Sequence, residues 1–433
     1  MIATEVKYKK TGVEWIPEIP NHWEVRRLKQ FSKIETGTTP PKIDNSNYSE
    51  KGIPWIKPDN LNDFEPLIDS KEKISKDGLK GARLIPKDSV LVCCIGTIGK
   101  IGVAGIDLTT NQQINSVIFN QEIVLPRFGK YLIFSSEKEH WRISTKSVVS
   151  ILNKSAQGSI KFPIPPLNEQ KVIANYLDAQ SVKITHFIQT KQRFIELLKE
   201  QRQSIISNAV TKGIDDGVKM KETVLGKIPE HWEVRRLGTI GRFSKGGNIS
   251  RSELIYTDGG VPAILYGDLY TKYDIVAENI INRITKETAA NSVELKKGDL
   301  LFTGSGETKE DIGKCVVFNS DEPAYAGGDV IIFKQDIFDS YFISYSQNSS
   351  IAKYQKAISS KGEIIVHTYG SKLRDVILPY PPTIEEQKQI VEHIKAETQN
   401  LDIAISKAER EIELIKEYRE AMVSEAVMGK MKL

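Results

Sequence analysis

One glycine-rich segment of the sequence has residue types and a spacing that could hold a cofactor. Phe302 to Gly306 reads Phe-Thr-Gly-Ser-Gly after an apolar run, and a glycine turn after a strand can cradle a cofactor such as S-adenosylmethionine. Enzymes that methylate adenine also need an Asn-Pro-Pro-aromatic motif for the flipped base, whereas the Pro-Pro pairs here follow Ile164 and Tyr380. A single Gly-x-Gly after a strand is usually only a turn, so the segment predicts no cofactor site.

Carboxylates and cysteines also occur at spacings that could bind a metal ion. Asp59 followed by Asp69-Ser70-Lys71 has the two carboxylates and the lysine of a nuclease metal site. Such spacing arises readily in a chain rich in Asp and Lys, and the second half of the chain has no counterpart. Cys93 and Cys94 are adjacent and Cys315 stands alone, which indicates neither a zinc site nor a disulfide framework. The sequence therefore predicts no catalytic residue and no metal site.

Length and composition indicate a folded protein of more than one domain. The chain has 433 residues, 8% aromatic and 27% charged, which suggests about two to four units with cores of their own. Lys and Arg number 60 against 56 Asp and Glu, for a net charge of +4, and this balance permits nucleic-acid binding without indicating it. No apolar run is long enough to span a membrane, and charged residues near the amino terminus exclude a signal peptide. The sequence predicts a cytoplasmic protein.

The sequence contains the same unit twice. Ile19 to Leu28 recurs as Ile228 to Leu237 with all but one residue identical. Four further matches follow in the same order: Gly52-Ile53-Pro54 with Gly260-Val261-Pro262, Ile98-Gly99-Lys100 with Ile312-Gly313-Lys314, Pro165-Pro166 and Glu169-Gln170-Lys171 with Pro381-Pro382 and Glu386-Gln387-Lys388, and Ile195 to Glu200 with Ile412 to Glu417. The period is far longer than that of a solenoid repeat, so each copy must be a domain with an appendage.

Within each copy the pattern changes from sheet to helix. Short apolar and β-branched runs separated by Gly, Pro and Asn predict strands at Ser89 to Ile95, Ser116 to Phe119, Leu300 to Thr303 and Asp329 to Phe333. Helical stretches follow around Lys130 to Trp141 and Tyr341 to Ile358. Each copy then reaches a Pro-Pro pair and a long segment with almost no Gly or Pro.

That long segment has the heptad pattern of a coiled-coil helix, because apolar residues alternate by three and four. The seam predicted for the first copy is Ile173, Leu177, Ile184, Phe187, Phe194, Leu198 and Ile205, with Gln180, Lys191 and Gln201 between them. The seam predicted for the second copy is Ile390, Ile394, Leu401, Ala404, Ala408, Ile415, Tyr418 and Met422. Each stripe lies on one helix face and needs a partner helix.

Capping signals bound both helices. Thr383 and Glu386 form a Thr-x-x-Glu capping box, Asn168 is the expected cap of the first helix, and Gly213 and Gly429 stand at the far ends. The first helix would be roughly 60–70 Å long at about 1.5 Å per residue.

Connectivity then predicts the architecture. The first helix ends shortly before the second copy begins, and that copy leads into the second helix, so the two helices must pack antiparallel with one globular domain at each end. The expected fold is α+β: two similar globular domains separated by a long antiparallel two-helix coiled coil, in a pseudo-twofold dumbbell. The expected boundaries are 1–165 for the first globular domain, 166–213 for the first helix, 214–382 for the second domain and 383–433 for the second helix.

Two similar domains on a stiff rod are suited to contacting one object at two fixed places. Duplex DNA is such an object, because its major groove returns to the same face every about 34–36 Å. The motifs also resemble a known family, the specificity subunits of type I restriction-modification systems. Pro165 to Gln170 (Pro-Pro-Leu-Asn-Glu-Gln) is similar to that family's boundary between a target recognition domain and a conserved spacer helix. The repeated Trp-Glu-Val-Arg-Arg-Leu and Gly52 to Ile56 resemble the start of a recognition domain.

The second copy departs slightly from the first. Pro381 to Gln387 has one extra residue before Glu-Gln, and Ala263 stands where the first copy has Trp55. The resemblance still spans almost the whole chain in the family's order, so these departures change local contacts only.

The resemblance implies a non-catalytic subunit that binds double-stranded DNA. Each recognition domain would read one half of a bipartite, asymmetric site, and the helices would set the gap and dock two adenine methyltransferase subunits that use S-adenosylmethionine. Restriction subunits that hydrolyse ATP with Mg²⁺, translocate and cut DNA would join them, and no cofactor would bind this chain. Two alternatives stay open: a self-contained restriction or methylation enzyme, and a coiled-coil scaffold with two recognition heads for something other than DNA.

Residues that specify a DNA sequence should lie on loops where the copies diverge, because a feature common to both copies cannot distinguish two half-sites. Polar and cationic side chains there can bond base edges or neutralise phosphate. The candidates of the first copy are Thr38, Thr39, Lys42, Lys57, Asn60, Lys100, Asn111, Gln112 and Gln113. Those of the second are Lys245, Asn248, Arg251, Tyr266, Asp268, Lys272, Lys309 and Lys314.

Two residue pairs that occur in both copies are expected to have roles other than specifying a DNA sequence. His22-Trp23 and His231-Trp232 are predicted to pack the first strand of each domain against its core, not to bind a ligand. Arg26-Arg27 and Arg235-Arg236 could contact phosphate, in which case they position the protein without specifying a sequence.

Overall fold

The structure, a computed structural model, describes residues 7–41, 43–145, 149–256, 259–362 and 365–433. Lys42, one of the predicted DNA contacts, lies outside the described residues. The chain divides into two compact units. Unit 1 is Met1–Lys191 with Arg410–Leu433, and unit 2 is Gln192–Glu409. No helix in the described ranges combines the length and the apolar character that a membrane span requires.

The globular part of unit 1 is built from short strands and three short helices. Its strands are β1 (Tyr8–Val13), β2 (Ile16–Pro20), β3 (Glu24–Arg27), β4 (Ser32–Thr36), β5 (Tyr48–Ile56), β6 (Pro66–Leu67), β7 (Lys73–Ile74), β8 (Leu84–Ile85), β9 (Val90–Cys93), β10 (Ile101–Ala104), β11 (Leu108–Thr110), β12 (Ile114–Phe119) and β13 (Lys161–Ile164). Its helices are α1 (Pro126–Phe134), α2 (Glu137–Ile143) and α3 (Lys154–Ser159), with 3₁₀ turns at Leu28–Gln30, Asn45–Asn47, Pro58–Asn60 and Gly78–Lys80.

Two sheets form the frame of unit 1. A five-stranded sheet has the order β4-β12-β9-β10-β6, and a four-stranded sheet has the order β7-β5-β11-β8. The five-stranded sheet is antiparallel except at its edge, where β6 runs parallel to β10. Its central strand β9 is buried along its whole length, because the apolar run Val-Leu-Val-Cys packs on both faces. Strand β13 pairs with β3, the strand of the repeated Glu-Val-Arg-Arg motif.

The globular part of unit 2 repeats this plan. Its strands are β14 (Met220–Thr223), β15 (Gly226–Pro229), β16 (Glu233–Arg236), β17 (Arg242–Lys245), β18 (Leu254–Ile255), β19 (Val261–Ile264), β20 (Val276–Ala277), β21 (Arg283–Ile284), β22 (Val293–Leu295), β23 (Leu300–Thr303), β24 (Ser305–Gly306), β25 (Cys315–Phe318), β26 (Ala324–Ala326), β27 (Val330–Lys334), β28 (Val366–His367) and β29 (Ile377–Tyr380). Its short helices, numbered after the long helix α4 described below, are α5 (Tyr266–Thr271), α6 (Lys286–Ala290), α7 (Ser340–Gln347), α8 (Ser350–Ser359) and α9 (Gly370–Leu373), with 3₁₀ turns at Leu237–Thr239 and Arg251–Glu253.

The sheets of unit 2 have the strand order of unit 1. The order β17-β27-β23-β25-β20 corresponds strand by strand to β4-β12-β9-β10-β6, and β20 again runs parallel to its neighbour. The second sheet, β18-β21-β19-β26-β22, differs by one additional short strand. Strand β29 pairs with β16 as β13 pairs with β3. The sequence prediction of two similar α+β domains is confirmed.

Two long helices complete the units: α4 (Leu167–Lys212) and α10 (Ile384–Val427). In unit 1 the first part of α4 packs in one core with the last part of α10, through Leu177 and Val423 among others. In unit 2 the last part of α4 packs with the first part of α10, through Val210 and Ile394. The two helices therefore run antiparallel within each unit, as the sequence predicts.

Three of the predicted apolar seam residues are exposed. Phe187, Phe194 and Tyr418 are 37%, 44% and 54% exposed. In the sequence next to them, Ile188 is half-buried, Ile195 is buried and the Arg419 side chain is 13% exposed. One residue turns a side chain by about 100° around a helix of 3.6 residues per turn. The predicted register is therefore wrong by one position at these aromatic residues.

The other predicted seam positions differ in depth. Ile205, Leu401, Ala404 and Ile415 are half-buried. The remaining apolar positions are buried: Ile173, Leu177, Ile184, Leu198, Ile390, Ile394, Ala408 and Met422. Lys191, predicted to lie on the seam, forms an ion pair with Glu411 (Nζ to Oε2, 2.5 Å).

The expected helix ends are close to those observed. Helix α4 begins at Leu167, so Asn168 lies inside the first turn and is not the cap. Thr383 Oγ1 accepts a hydrogen bond from the backbone N–H of Glu386 at 3.3 Å, which is one half of the predicted capping box. The Glu386 carboxylate instead accepts a hydrogen bond from the Trp232 ring. Gly429 ends the second helix with a positive φ of 70°, a conformation that glycine adopts without steric cost.

Candidate nucleic-acid interface

A three-residue contact joins the globular part of unit 1 to the start of α4. The Trp23 ring is buried, and its Nε1 donates a hydrogen bond to Glu169 Oε2 at 2.9 Å. His22 Nε2 lies 2.8 Å from the other carboxylate oxygen, Oε1. The prediction that His22-Trp23 packs structurally is confirmed for the tryptophan, and the structure adds its acceptor, the glutamate of the Asn-Glu-Gln motif. One carboxylate therefore fixes two ring systems at the helix start.

Unit 2 contains the same contact. Trp232 Nε1 donates to Glu386 Oε1 at 2.7 Å, and His231 Nε2 lies 3.0 Å from the same oxygen. The extra residue before Glu-Gln in the second copy does not change it. We call these two contacts, His22-Trp23-Glu169 and His231-Trp232-Glu386, the joints.

The glutamine that follows each joint glutamate binds main-chain groups. Gln170 Oε1 accepts from the N–H of Leu125, while its Nε2 donates to the carbonyls of Ile123 and Pro165. Gln387 Oε1 likewise accepts from a backbone N–H, that of Asp339, at 2.7 Å, and its Nε2 donates to the Pro381 carbonyl at 3.1 Å. Both amides are buried, so these bonds hold α1 and α7 against the long helices.

Five candidate residues of the first copy lie together at the ends of β4 and β11. Thr39 Oγ1 donates to Gln112 Oε1, and Asn111 Nδ2 donates to Gln113 Oε1 at 2.8 Å. Thr38 Oγ1 donates to the Gly81 carbonyl at 2.9 Å. Of this group Thr39 and Gln112 are the exposed members, whereas Asn111 is buried. The structure thus brings these polar side chains into one surface cluster.

Three further candidates lie on or against the segment that follows Ile56, whose carbonyl accepts a hydrogen bond from the N–H of Asn111. Lys57 forms an ion pair with Glu72. Asn60 accepts from the N–H of Lys57 at 2.9 Å, and Lys100 Nζ donates to the Pro58 carbonyl at 3.3 Å. All three have internal partners, so a DNA contact by any of them would have to share or exchange these bonds.

In the second copy three candidates are also engaged inside the fold. Asp268 is buried, accepts from the N–H of Leu265 at 2.8 Å and pairs with Lys272 at 2.9 Å. Lys314 Nζ donates to the Tyr273 carbonyl at 2.5 Å, and burial lowers the pKa of its ammonium. These residues support loops. The exposed candidates are Lys245, Asn248, Arg251, Tyr266 and Lys309.

The duplicated arginines lie on β3 and β16. Arg26 pairs with Glu24 at 2.7 Å and Arg235 with Glu233 at 2.5 Å, so each first arginine is neutralised by its own strand. Arg236 lies 3.9 Å from the carboxylate of Asp375. The expected phosphate contact of these pairs stays a prediction.

The segments that resembled enzyme sites have structural partners. Asp69 forms an ion pair with Lys73 at 2.8 Å and accepts from the N–H of Ser70. Ser305 and Gly306 form the short strand β24, which pairs with β28. Within the described ranges, no three His, Cys, Asp or Glu side chains lie close enough together to hold a metal ion.

The two units bury different titratable groups. In unit 1 Asn115 Oδ1 accepts from Thr36 Oγ1 at 2.7 Å, and Asn115 Nδ2 donates to Gln157 Oε1 at 2.9 Å. Gln157 Nε2 lies 3.4 Å from Nε2 of the buried His140, and burial lowers the pKa of that imidazole to about 4. We call Thr36, Asn115, Gln157 and His140 the unit 1 network.

Unit 2 buries a lysine. Lys356 on α8 donates to the carbonyls of Gly313 at 2.6 Å and Gln347 at 2.7 Å. Burial lowers the pKa of its ammonium to about 7.

Sequence reasoning missed His367, Tyr369 and Arg374, which line a cavity of unit 2 together with Lys245. Tyr369 is 55% exposed, and the signal available in the sequence was an aromatic residue close to the cations Lys372 and Arg374. The other lining groups come from distant segments that only the fold brings together.

The repeated α+β domain, the antiparallel long helices and the joints define a class of two-domain recognition proteins. The family model "Type I restriction modification DNA specificity domain" matches the chain twice, over residues 20–197 and 229–414. The chain belongs to this family.

Known relatives and a solved structure match between 69% and 99% of the chain. The MjaIX type I restriction enzyme specificity subunit of Methanocaldococcus jannaschii is 24% identical over 99% of this chain and 97% of its own length. The EcoKI specificity subunit of Escherichia coli K12 is 24% identical over 69% of this chain and 64% of its own. A chain from a structural study of the assembly and conformational transition of the type I R-M system matches with a TM-score of 0.63 at 16% identity, over 95% of this chain and 99% of that one. This last likeness shows the fold.

Proposed function

We propose that the chain is the DNA sequence-specificity subunit of a type I restriction-modification complex. Each globular domain reads one half of a bipartite, asymmetric DNA site, and the paired helices set the gap and dock the methyltransferase subunits. The observation that carries the proposal is the duplication: two domains have one strand order and one joint, but differ in the loop residues. A shared frame with divergent loops suits the reading of two different half-sites.

The proposed partners are double-stranded DNA, two adenine methyltransferase subunits that use S-adenosylmethionine, and restriction subunits that use ATP and Mg²⁺. The chain itself is proposed to be non-catalytic, with recognition domains at 1–165 and 214–382 and spacer helices at 166–213 and 383–433. We therefore expect the purified chain alone to neither methylate nor cut DNA, which an assay of S-adenosylmethionine turnover checks.

Mapping of methylated bases in the source genome, with and without this gene, tests the proposal directly. The expected result is one bipartite motif that disappears when the gene is deleted. If deletion leaves every methylated motif in place, the proposal is wrong. If the purified assembly binds no DNA in a filter-binding assay, the scaffold alternative gains support instead.

A heptad inserted in both long helices tests the role of the helices. Seven residues lengthen a helix by about 10 Å at about 1.5 Å per residue and keep the seam in register. Along B-DNA this length corresponds to about three base pairs at about 3.4 Å each, and it also rotates the second half-site by almost a third of a turn. We expect the variant to methylate a site with a longer gap or to lose specific binding, with both half-site sequences unchanged. An unchanged gap with full activity would show that the helices do not measure distance.

A further inference from the structure

A cavity of about 380 Å³ opens at the β17 edge of the sheet β17-β27-β23-β25-β20 of unit 2. Four separate segments of the chain form its walls: the end of β17 with Lys245, the turn at Gly304-Ser305, the turn at Gly328-Asp329, and the segment from His367 to Arg374. The turn at Gly304-Ser305 is the glycine segment that would have held a cofactor in an enzyme. The cavity is also lined by Ile331, a buried residue of β27.

The cations of this cavity have no partners of their own. Lys245 and Arg374 are both exposed, and within the described part of the chain neither forms an ion pair or a side-chain hydrogen bond. The single carboxylate of the lining is Asp329, also exposed. Two cations against one carboxylate give the cavity a positive balance.

Hydroxyl donors add to the cations. The Thr368 side chain is 1% exposed, yet its Oγ1 has no hydrogen-bond partner among the described residues. A buried hydroxyl without a partner costs free energy, so a group that binds there from outside would recover that cost. Tyr369 and Ser371 supply two further hydroxyls at the cavity, while His367 is held by Ser305 through Nδ1 and Oγ at 3.0 Å.

At three of these positions unit 1 has uncharged residues. The strand registers place Thr36 where unit 2 has Lys245, and Asn115 where unit 2 has Ile331. Asn115 is buried and bonded to Thr36, Gln157 and the carbonyl of Leu152. Leu152 corresponds in turn to Thr368, because the bridge of Ile95 with Ile151 matches that of Ser305 with His367. The Lys245 cation and the unpaired Thr368 hydroxyl are therefore particular to unit 2.

We propose that this cavity binds a backbone phosphate of the DNA half-site that unit 2 reads, an inference that rests on the proposed function. Lys, Arg, Ser, Thr and Tyr are the side chains that contact phosphate in protein–DNA complexes, and the cavity contains all five types. Lys245 and Arg374 neutralise the phosphate, the Thr368 hydroxyl donates to it, and Tyr369 lies at the rim against the sugar. Because unit 1 has no counterpart, the contact anchors one half-site only and helps to fix the orientation of the complex on an asymmetric site.

The test uses the full chain assembled with its methyltransferase partners, and a duplex that contains its mapped methylation site. Lys245→Gln and Arg374→Gln are each expected to weaken binding about tenfold, the usual size of a lost charge-assisted hydrogen bond. Because both cations neutralise one phosphate, the double variant should reduce the slope of log K against log salt by about 0.9, one phosphate's worth of released counterions, and each single variant should reduce it by part of that amount. Thr368→Val keeps the shape of the side chain, so we expect weaker binding with no loss of thermal stability.

Lys372→Gln is the matched control, since Lys372 is exposed on α9, two residues from Arg374, and does not line the cavity. We expect it to change affinity less than about twofold, because a phosphate contact depends on position. Equal effects of Lys372→Gln and Arg374→Gln would show that a diffuse positive surface binds the DNA and that the cavity does not, and would overturn the inference. So would wild-type affinity and salt slope in both Lys245→Gln and Arg374→Gln.

Two further results separate this inference from others. If the wild-type assembly does not prefer its mapped site over unrelated duplex, the proposed function itself fails. If it does prefer that site and the variants behave as wild type, only the phosphate contact is wrong. Stabilisation of the wild-type chain by millimolar inorganic phosphate that equals the stabilisation by duplex would show a site for free anions and would also overturn the inference.

Discussion

Unit 1 and unit 2 have the same strand order and the same joint, but their polar interiors differ. Unit 1 fills the space beside its central sheet with the hydrogen-bonded unit 1 network, whereas unit 2 has apolar Ile331 there, a cavity lined by cations, and a separate buried lysine, Lys356. The parts that are the same in both units hold the sheet on the long helix. The parts that differ lie under or beside the loops. The comparison teaches that divergence after duplication reached the interior that supports the loops, not only the loop surface.

The largest effect should follow from replacing Asn115 of unit 1 by isoleucine, the residue at the equivalent position of unit 2. Asn115→Ile leaves Thr36 Oγ1, Gln157 Oε1 and the Leu152 carbonyl without their partner. We expect the unfolding free energy of unit 1 to fall by about 3 kcal/mol, since each buried polar group left unpaired costs about 1–3 kcal/mol. Hydrogen exchange resolved by segment measures it, with unit 2 as the internal reference.

Ser116→Ala is the control for that experiment. Ser116 neighbours Asn115 on β12, and its buried Oγ has no partner among the described side chains, so its removal should cost little. A large loss with Ser116→Ala, or none with Asn115→Ile, would show that the network does not distinguish the two interiors.

The joints should respond alike in both units, with a somewhat smaller effect. Glu169→Ala and Glu386→Ala each leave the N–H of a buried tryptophan without an acceptor, and we expect each to cost about 2 kcal/mol. A looser joint should also broaden the range of gap lengths that the assembly methylates, which methylation mapping measures. Glu385→Ala, one residue away on an exposed first turn, should change stability by only a few tenths of a kcal/mol. Unequal losses in the two units would mean that the joints are not equivalent.

The stabilities of the two units should depend on pH over different ranges. Burial lowers the pKa of His140 in unit 1 from 6.5 to about 4, so between these values the unfolded chain binds more protons than the folded one. The stability of unit 1 then rises with pH across that window and is lost as pH falls towards 4. Burial lowers the pKa of Lys356 in unit 2 from 10.5 to about 7, so the stability of unit 2 rises between about 7 and 10.5 by the same reasoning. Each slope is at most about 1.4 kcal/mol per pH unit.

Hydrogen exchange at several pH values checks these windows, with one variant per unit. Lys356→Met should remove the alkaline slope of unit 2 and leave the acidic slope of unit 1 in place, and His140→Gln should do the reverse. A slope that persists in its own variant would assign it to another group.

The sequence alone was sufficient to predict the duplication, the α+β class and the antiparallel pairing, because repeats, turn residues and heptads are local patterns. The buried strand Val90–Cys93 lies inside the predicted run Ser89 to Ile95, and β23 coincides with the predicted Leu300 to Thr303. The seam register failed at Phe187, because apolar type alone does not tell which of two adjacent apolar residues faces the partner helix. The neighbouring isoleucines are the less exposed residues: Ile188 is half-buried and Ile195 is buried.

The candidate site was predicted less well, for a different reason. Lys245 was a candidate on the sequence, but Tyr369 and Arg374 were not, since the cavity is closed by segments far apart in the chain. Asp268 had the residue type for a base contact, but its carboxylate is already occupied by Leu265 N–H and Lys272. Hydrogen-bond partners inside the fold decide which polar residues are available for contact with DNA, and these partners cannot be read from the sequence.

The glutamines that follow the joint glutamates have an evolutionary consequence. Gln170 and Gln387 hold each globular domain to its long helix through backbone amides and carbonyls. Main-chain groups are the same whatever side chains surround them, so loops of the domain can mutate without altering this attachment. A whole domain with the same backbone at these points would keep these bonds, while the joint also requires its tryptophan. We therefore expect that a globular domain which keeps this backbone and its joint tryptophan can be exchanged while the long helices stay unchanged.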